Sequence, residues 1–466
     1  MSTGDVAALT GGRLHGISAA PTVTGPVVVD SRLCTAGSLF VCVEGEHTDG
    51  HLHVGDAYRR GAVVALASRP VDGPAIVVDD TVRSLGFLAG GVLRRTTNCH
   101  VVGVTGSSGK TSTKDLIAAM LAHTDEATVA AEASLNNEIG LPLTVLDVDE
   151  STRHLVLEYS ARGVGHIAYL CGIARPAIAV VLNVGTAHLG EFGSREAVAT
   201  AKGELVEALA PDGLAILGVD DPLVDAMRLR SSARVVGFGR SEHADVRVES
   251  LTLNAQAQPR FRLVTAEGAA KVSLQLAGAH HAMNAAAAAA VGLAEGMSLA
   301  DITQALGEVT EVSAHRMRVT PRGDGLLVVD DAYNANPESV RAALDALAVL
   351  ADGRQGASWA VLGEMRELGA NSADLHAAVG RYAATLGIEH LVVVGDGAKG
   401  ISSGARAVSE WAGTVDLVSD VERATALVEA AVSGSDVVLV KASNAVALWQ
   451  VAESLMRNGG QIGGAE

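Results

Sequence analysis

The chain has 466 residues, 48% of them apolar and only 3% aromatic, and carries a formal net charge of −18. That length accommodates two to four domains with cores of their own, and the apolar share excludes a disordered chain. The acidic balance excludes nucleic acid as the main partner, since duplex binding needs a basic face. It leaves open a small anionic substrate held in a local positive pocket.

In chain order, residues 1–98 read as a first α/β unit. "GPVVVDSR", "GSLFVCVEG" and "GAVVALAS" have the apolar character of short strands, and "DGHLHVGDAYRRGA" is a helical link. The start, "MSTGDVAALTGG", lacks a basic segment followed by an apolar one, and no run reaches the roughly 18 apolar residues of a membrane span. The four cysteines (Cys34, Cys42, Cys99, Cys171) show no C-x-x-C spacing and read as buried thiols. These features predict a cytoplasmic protein. A second unit, 99–312, opens with "CHVVGVTG", a strand running into a glycine loop, then "TSTKDLIAAMLAH" with helical periodicity. The strands "HLVLEYS", "AIAVVLNVG", "LAILGVDD" and "ARVVGFG" follow, mostly with helical patterns between them. That alternation predicts a doubly wound, mostly parallel sheet. Near 244–278 apolar and polar residues alternate, as antiparallel strands do, and "NAAAAAAVGLAEG" reads as a tightly packed internal helix. A third unit, 313–466, repeats the strand–helix alternation through "GLLVVDDAY", "WAVLGEM", "HLVVVGDG", "VDLVSD" and "DVVLVKAS", a Rossmann-like sheet. The tail "RNGGQIGGAE" reads as frayed.

The stretch "GVTGSSGKTS" (103–112) lies between a strand and a helix, the context a phosphate loop requires. Small residues at Gly106, Ser107, Ser108 and Gly109 let backbone N–H groups converge on phosphate oxygens, and the helix start adds its dipole. Lys110 would neutralise β- and γ-phosphates, Thr111 would ligate Mg²⁺, and Ser112 completes the helix start. The usual G-x-x-x-x-G-K-[ST] spelling fails at Val104. Polar residues stand beyond later strands: Glu158 ends "HLVLEYS", and Asn183 and His188 sit in "NVGTAHLGEFGS". Open α/β sheets place ligands at such positions. Glu158 and His188 could bind Mg²⁺. Lys202, in the helical "EAVATAKGEL", is out of place beside a cation.

"GVTGSSGKTST", "SLNNEIGLPLTVL", "NVGTAHLGEFGS" with "AKGEL", "LAGAHHAMNAAAAA" and "VVDDAYNANPESV" resemble the Mur ligase family across nearly the whole chain. "DDAYNANP" and "NNEIG" resemble its D-alanyl-D-alanine-adding type more than the type adding a diamino acid, which reads D-Y-A-H-T-P. The Val104 spelling is the family's own. The resemblance implies three domains and an ATP-dependent amide ligase of peptidoglycan precursor synthesis. Such an enzyme joins D-Ala-D-Ala to UDP-MurNAc-tripeptide through an acyl phosphate and works as a monomer. It implies two Mg²⁺ ions, one held by Thr111 and Glu158, the other supported by His188 and by Lys202 carrying a CO₂-derived carbamate. It places His281 and Asn284 beside adenine, Arg316 at the γ-phosphate and Asp331 on the ribose. Ser31, Arg32, Asn136 and Asn137 would face the UDP-sugar, and Asn334 and Asn336 the incoming dipeptide.

On residue type alone other readings stay open. His281 and Asn284 also suit helix capping and packing, Arg316 a surface arginine, and Asn334 and Asn336 a turn before Pro337. The chain departs from the family's pattern at Ser160, Ala161 and His166, at Gly218 where Asn is usual, and at Asn444 where Arg is common. Rival functions are a sister ligase with another amine acceptor, diamino acid-adding or folylpolyglutamate-type, and a UDP-sugar-binding protein without catalysis. A nucleotide-switched ATPase would place Asp330 on Mg²⁺, but from a separate unit, and no N-K-x-D motif marks a GTP switch.

Overall fold

The computed structural model describes residues 1–17, 21–45, 48–124, 126–185, 189–310 and 313–457. Its strands fall into three sheets, each with helices packed on it. The first has the order Arg13–His15, Ala75–Val77, Val64–Ala67, Leu39–Val41, Val27–Val28, with only the outermost Arg13–His15 antiparallel. Val64–Ala67 and Leu39–Val41 are fully buried and apolar, as strands covered on both faces demand.

The central sheet has nine strands. Its parallel part runs Arg234–Gly239, Leu214–Gly218, Ile178–Val181, His100–Thr105, Thr152–Glu158, Ala127–Ala130. Val246–Leu253 pairs parallel with Arg234–Gly239 and antiparallel with Pro259–Thr265, which pairs antiparallel with Gly268–Ser273. The alternating segment read from the sequence is therefore an extension of the same sheet. The helix His281–Ala294 packs against the helix Lys110–Leu121, and its alanines from 285 to 290 are all buried. Small side chains are what the approach allows: a Cβ on Gly292 would sit 2.9 Å from Cε of Met120.

The third sheet runs Arg318–Pro321, Leu327–Asp330, Val437–Lys441, Ser358–Leu362, His390–Val394, Thr414–Val418, parallel except for the first. It meets the central unit at several points. Ala257, in the turn between two central strands, is buried in a cluster with third-unit residues such as Met317 and Leu344. Gly190 N donates to Glu367 O at 3.0 Å. A Cβ on Gly190 would lie 2.9 Å from the backbone N of Gly369, so glycine is required there. All four cysteines are free thiols, three of them buried. No helix among the described residues is long and apolar enough to cross a membrane. The C-terminal tail from 458 lies outside the described residues.

Candidate active site

The strand His100–Thr105 pairs in parallel with both Thr152–Glu158 and Ile178–Val181. Parallel register brings their C-terminal ends out together, with Glu158 on one side of the glycine loop and Asn183 on the other. Gly109 turns the chain into the helix Lys110–Leu121 with φ 82°, and a Cβ there would lie 2.7 Å from Oδ1 of Asn284. Gly106 is also sterically bound to be glycine, since its Cβ would meet that of Leu182 at 2.9 Å. Asn183 clamps the loop: its Oδ1 accepts from the backbone N of Ser107 (3.1 Å) and of Ser108 (3.0 Å), and its Nδ2 donates to Ser108 O (3.1 Å).

Polar side chains converge on Glu158, which is buried. Thr111 Oγ1 donates to Glu158 Oε2 at 2.8 Å, and Asn136 Nδ2 donates to Oε1 at 2.8 Å. Lys110 Nζ donates to Gly106 O at 2.9 Å and stands 4.0 Å from Glu158 Oε1. Burial pulls the Lys110 ammonium below its usual range, with Glu158 opposing. Ser112 is buried in the first turn of the helix. Lys202 sits on the helix Arg195–Glu207, which Ser194 caps by accepting from Ala197 N. It is not among the residues lining the cavity; its side chain is buried and makes no hydrogen bond or ion pair among the described residues. Burial drives its pKa well below that of a free lysine; nearby Lys110 adds to this and Glu158 opposes it. His188 lies outside the described residues.

The third sheet closes the other side. Arg316 Nη2 reaches both Thr111 Oγ1 and Ser134 Oγ at 3.1 Å, and its guanidinium lies 4.3 Å over the Tyr333 ring. It is thus a cavity residue, and the surface-arginine reading fails. Asp331 forms a buried ion pair with Lys441 (2.6 Å) and accepts from Met317 N (3.2 Å). Burial lowers the Lys441 pKa, which Asp331 opposes. Asn334 Oδ1 accepts from Ala335 N at 2.9 Å. Asn336 caps the helix Pro337–Ala351 in a reciprocal box with Ser339, so the turn-forming reading of this residue is realised.

These walls enclose a cavity of about 860 Å³. Ser107 Oγ, His281 Nδ1, Asn284 Nδ2 and Arg316 Nε belong to lining residues, and each is buried without a hydrogen-bond partner among the described residues. Buried polar atoms without partners are costly, so their gathering on one cavity suits it to a polar ligand. His281 opens its helix without capping it, so the capping reading fails for this residue; burial holds the ring neutral. Asn137 also lines the cavity and accepts from Ile139 N and Gly140 N, setting the turn into the helix Gly140–Val145. Ser31 and Arg32 lie elsewhere, on the first unit. Ser31 Oγ donates to Asp56 at 3.0 Å, and exposed Arg32 forks onto Asp30.

Ser134, Tyr333 and Lys441 are among the lining residues that had no assigned role on sequence grounds. Of these three, Lys441 alone carried a signal, a charge ending the otherwise apolar strand Val437–Lys441.

Comparison with known proteins agrees with this arrangement. Residues 26–84 match the family profile described as "Mur ligase family, catalytic domain", 104–292 the "Mur ligase middle domain", and 315–444 the "Mur ligase, glutamate ligase domain". The chain is 44% identical to the UDP-N-acetylmuramoyl-tripeptide–D-alanyl-D-alanine ligase of Mycobacterium tuberculosis (strain ATCC 25618 / H37Rv), over 98% of each protein. It superposes on crystal structure I of MurF from Acinetobacter baumannii with a TM-score of 0.86, 31% identity and 98% of each chain covered. MurF from Thermotoga maritima in complex with ADP gives a TM-score of 0.80 at 30% identity, covering 95% of this chain and 99% of that one.

Proposed function

Because the chain belongs to the Mur ligase family, we propose that it joins D-alanyl-D-alanine to UDP-MurNAc-tripeptide, using ATP and releasing ADP and phosphate. A carboxylate is a poor electrophile and has no good leaving group. The γ-phosphoryl group of ATP therefore passes to a carboxylate oxygen of the tripeptide as the β,γ P–O bond breaks. The dipeptide amine attacks the acyl carbon, loses a proton, and phosphate leaves as the amide forms. Both substrates of the first step are anionic, so the site must offset their repulsion.

The observation that carries this reading is the cluster of partnerless buried donors and acceptors lining one cavity between the phosphate loop and the third sheet. Ser107, Asn284 and His281 offer polar atoms to a nucleotide, and Arg316 joins Lys110 beside the γ-phosphate position. Asp331 would meet the ribose, and Asn334 and Asn336 would face the incoming dipeptide. Asn136 and Asn137 would face the muramoyl portion, while Ser31 and Arg32 would meet the UDP end on the first unit. The domain limits we propose are 1–98, 99–312 and 313–466.

The oxygen donors of Thr111 and Glu158 suit Mg²⁺, a hard cation. They would hold one ion, and His188 and Lys202 would support a second. Those ions would supply positive charge to the phosphates and the carboxylate. The burial of Lys202 with no partner among the described residues supports its conversion to a carbamate: a neutral amine can add CO₂, and the product is an anion suited to a metal. Closure of the third sheet over the cavity excludes water, which would otherwise hydrolyse the acyl phosphate. We also propose that the protein acts as a monomer, in the cytoplasmic setting that nucleotide-linked substrates support.

Phosphate release measured with ATP, Mg²⁺, UDP-MurNAc-tripeptide and D-Ala-D-Ala tests the reading. Release should require both the tripeptide and the dipeptide. Equal ATP consumption with no tripeptide present would overturn it.

A further inference from the structure

Arg316 is held in an unusual stretch of backbone. The residues on either side of it, His315 (φ 59°) and Met317 (φ 50°), are both in the left-handed region without being glycine. Such residues persist only where the surroundings fix them. On the third-sheet side the fixing contacts are plain. Met317 N donates to Asp331 Oδ1 (3.2 Å), Tyr333 N donates to His315 O (3.3 Å), and His315 Nδ1 lies 2.6 Å from Asp330 Oδ2.

On the other side stands one carboxylate. Asp115 Oδ2 accepts from Ser313 N at 2.8 Å. Its Oδ1 is 2.6 Å from Nζ of Lys114, whose side chain is only 2% exposed and also donates to Ala131 O. Asp115 lies one turn along the helix that begins with Lys110 and Thr111, and Arg316 bonds to that same Thr111. The phosphate-loop helix therefore holds both the start of the segment and the tip of its arginine. Asp115 does not line the cavity.

We propose that Asp115 is a positioning residue: by accepting from Ser313 N it ties the 313–317 segment to the phosphate-loop helix and aims Arg316 at the loop. The inference rests on the ligase reading above, in which Arg316 acts at the γ-phosphate.

The test compares D115A, D115N, R316A and D115A/R316A in the ligation assay. Hydrogen exchange at 313–317 is followed in the nucleotide-free proteins. D115A should lower kcat about tenfold, since small misplacements of a catalytic group are costly, with KM for the tripeptide unchanged. Combined with R316A it should add less than about twofold, because the two residues act as one unit. D115N, whose side-chain oxygen can still accept, should keep kcat within about threefold of the unaltered protein. Exchange at 313–317 should quicken in D115A. K114M/D115A removes the buried ammonium together with its partner and should behave as D115A does, which covers failure of D115A to fold.

Equal proportional losses from D115A with and without Arg316, or a D115N as slow as D115A, would overturn the proposal. So would a lowered Tm with unchanged kcat. An unaltered protein that forms no ligated product sinks the ligase reading and the positioning role with it. Unchanged exchange in a protein that ligates sinks the tether alone.

Discussion

Lys202→Ala is expected to abolish ligation, a fall of at least about a thousandfold, the scale on which charge-stabilising groups act in a dry site. The side chain is 5% exposed, on a helix whose start is capped, and finds no partner among the described residues. A buried ammonium without a partner is strongly disfavoured, so the amine is driven toward its neutral form. A neutral amine reacts with CO₂, which an ammonium cannot do. Alanine removes this group and its desolvation cost together, so the fold should tolerate the change, which circular dichroism and Tm would check. If only an anion is needed at this place, short carboxylic acids should restore part of the activity of the variant. Stripping CO₂ and bicarbonate from the unaltered enzyme should slow it, and adding bicarbonate should bring the rate back. Near-normal turnover by Lys202→Ala would remove the carbamate from the account.

Glu158→Gln carries the second large effect. The change keeps size and shape, and the amide can still accept from Asn136 and pair with the Thr111 hydroxyl. Only the charge is lost. That charge lies 4.0 Å from Lys110 and within hydrogen-bond distance of the hydroxyl that would ligate Mg²⁺. A fall in kcat of roughly a hundredfold to a thousandfold is expected, with a higher Mg²⁺ concentration needed for half-maximal rate. Stability should change little, because no buried donor is orphaned. Activity within a few-fold of the unaltered enzyme at the same Mg²⁺ requirement would show that Glu158 is a packing residue.

The parts legible in the sequence are those set by local chemistry. Strand, glycine loop, lysine and hydroxyl follow one another in a single stretch, and the structure places Gly106 to Ser112 as the order implied. Asn336 before Pro337 is a helix cap, as its residue type allowed. Asn183 shows the limit. It reads as one polar residue past a strand, yet it clamps the phosphate loop through a contact 75 residues away in sequence, fixed by the parallel pairing of two strands. The Asp331–Lys441 pair spans 110 residues and exists because the strands Leu327–Asp330 and Val437–Lys441 are neighbours. Sequence spacing says nothing of such pairings. The edge strand Arg13–His15 was equally hidden, since its three residues are all exposed and show no apolar alternation.

The central claim is a transfer of phosphorus to carboxylate oxygen, and an isotope follows it directly. The terminal tripeptide carboxylate is labelled with ¹⁸O, the ligation is run with ATP and D-Ala-D-Ala, and the released phosphate is analysed by mass spectrometry. Passage through an acyl phosphate places one labelled oxygen in each phosphate and leaves the other in the new amide. Phosphate free of label, from a reaction that has formed the amide, would contradict the account.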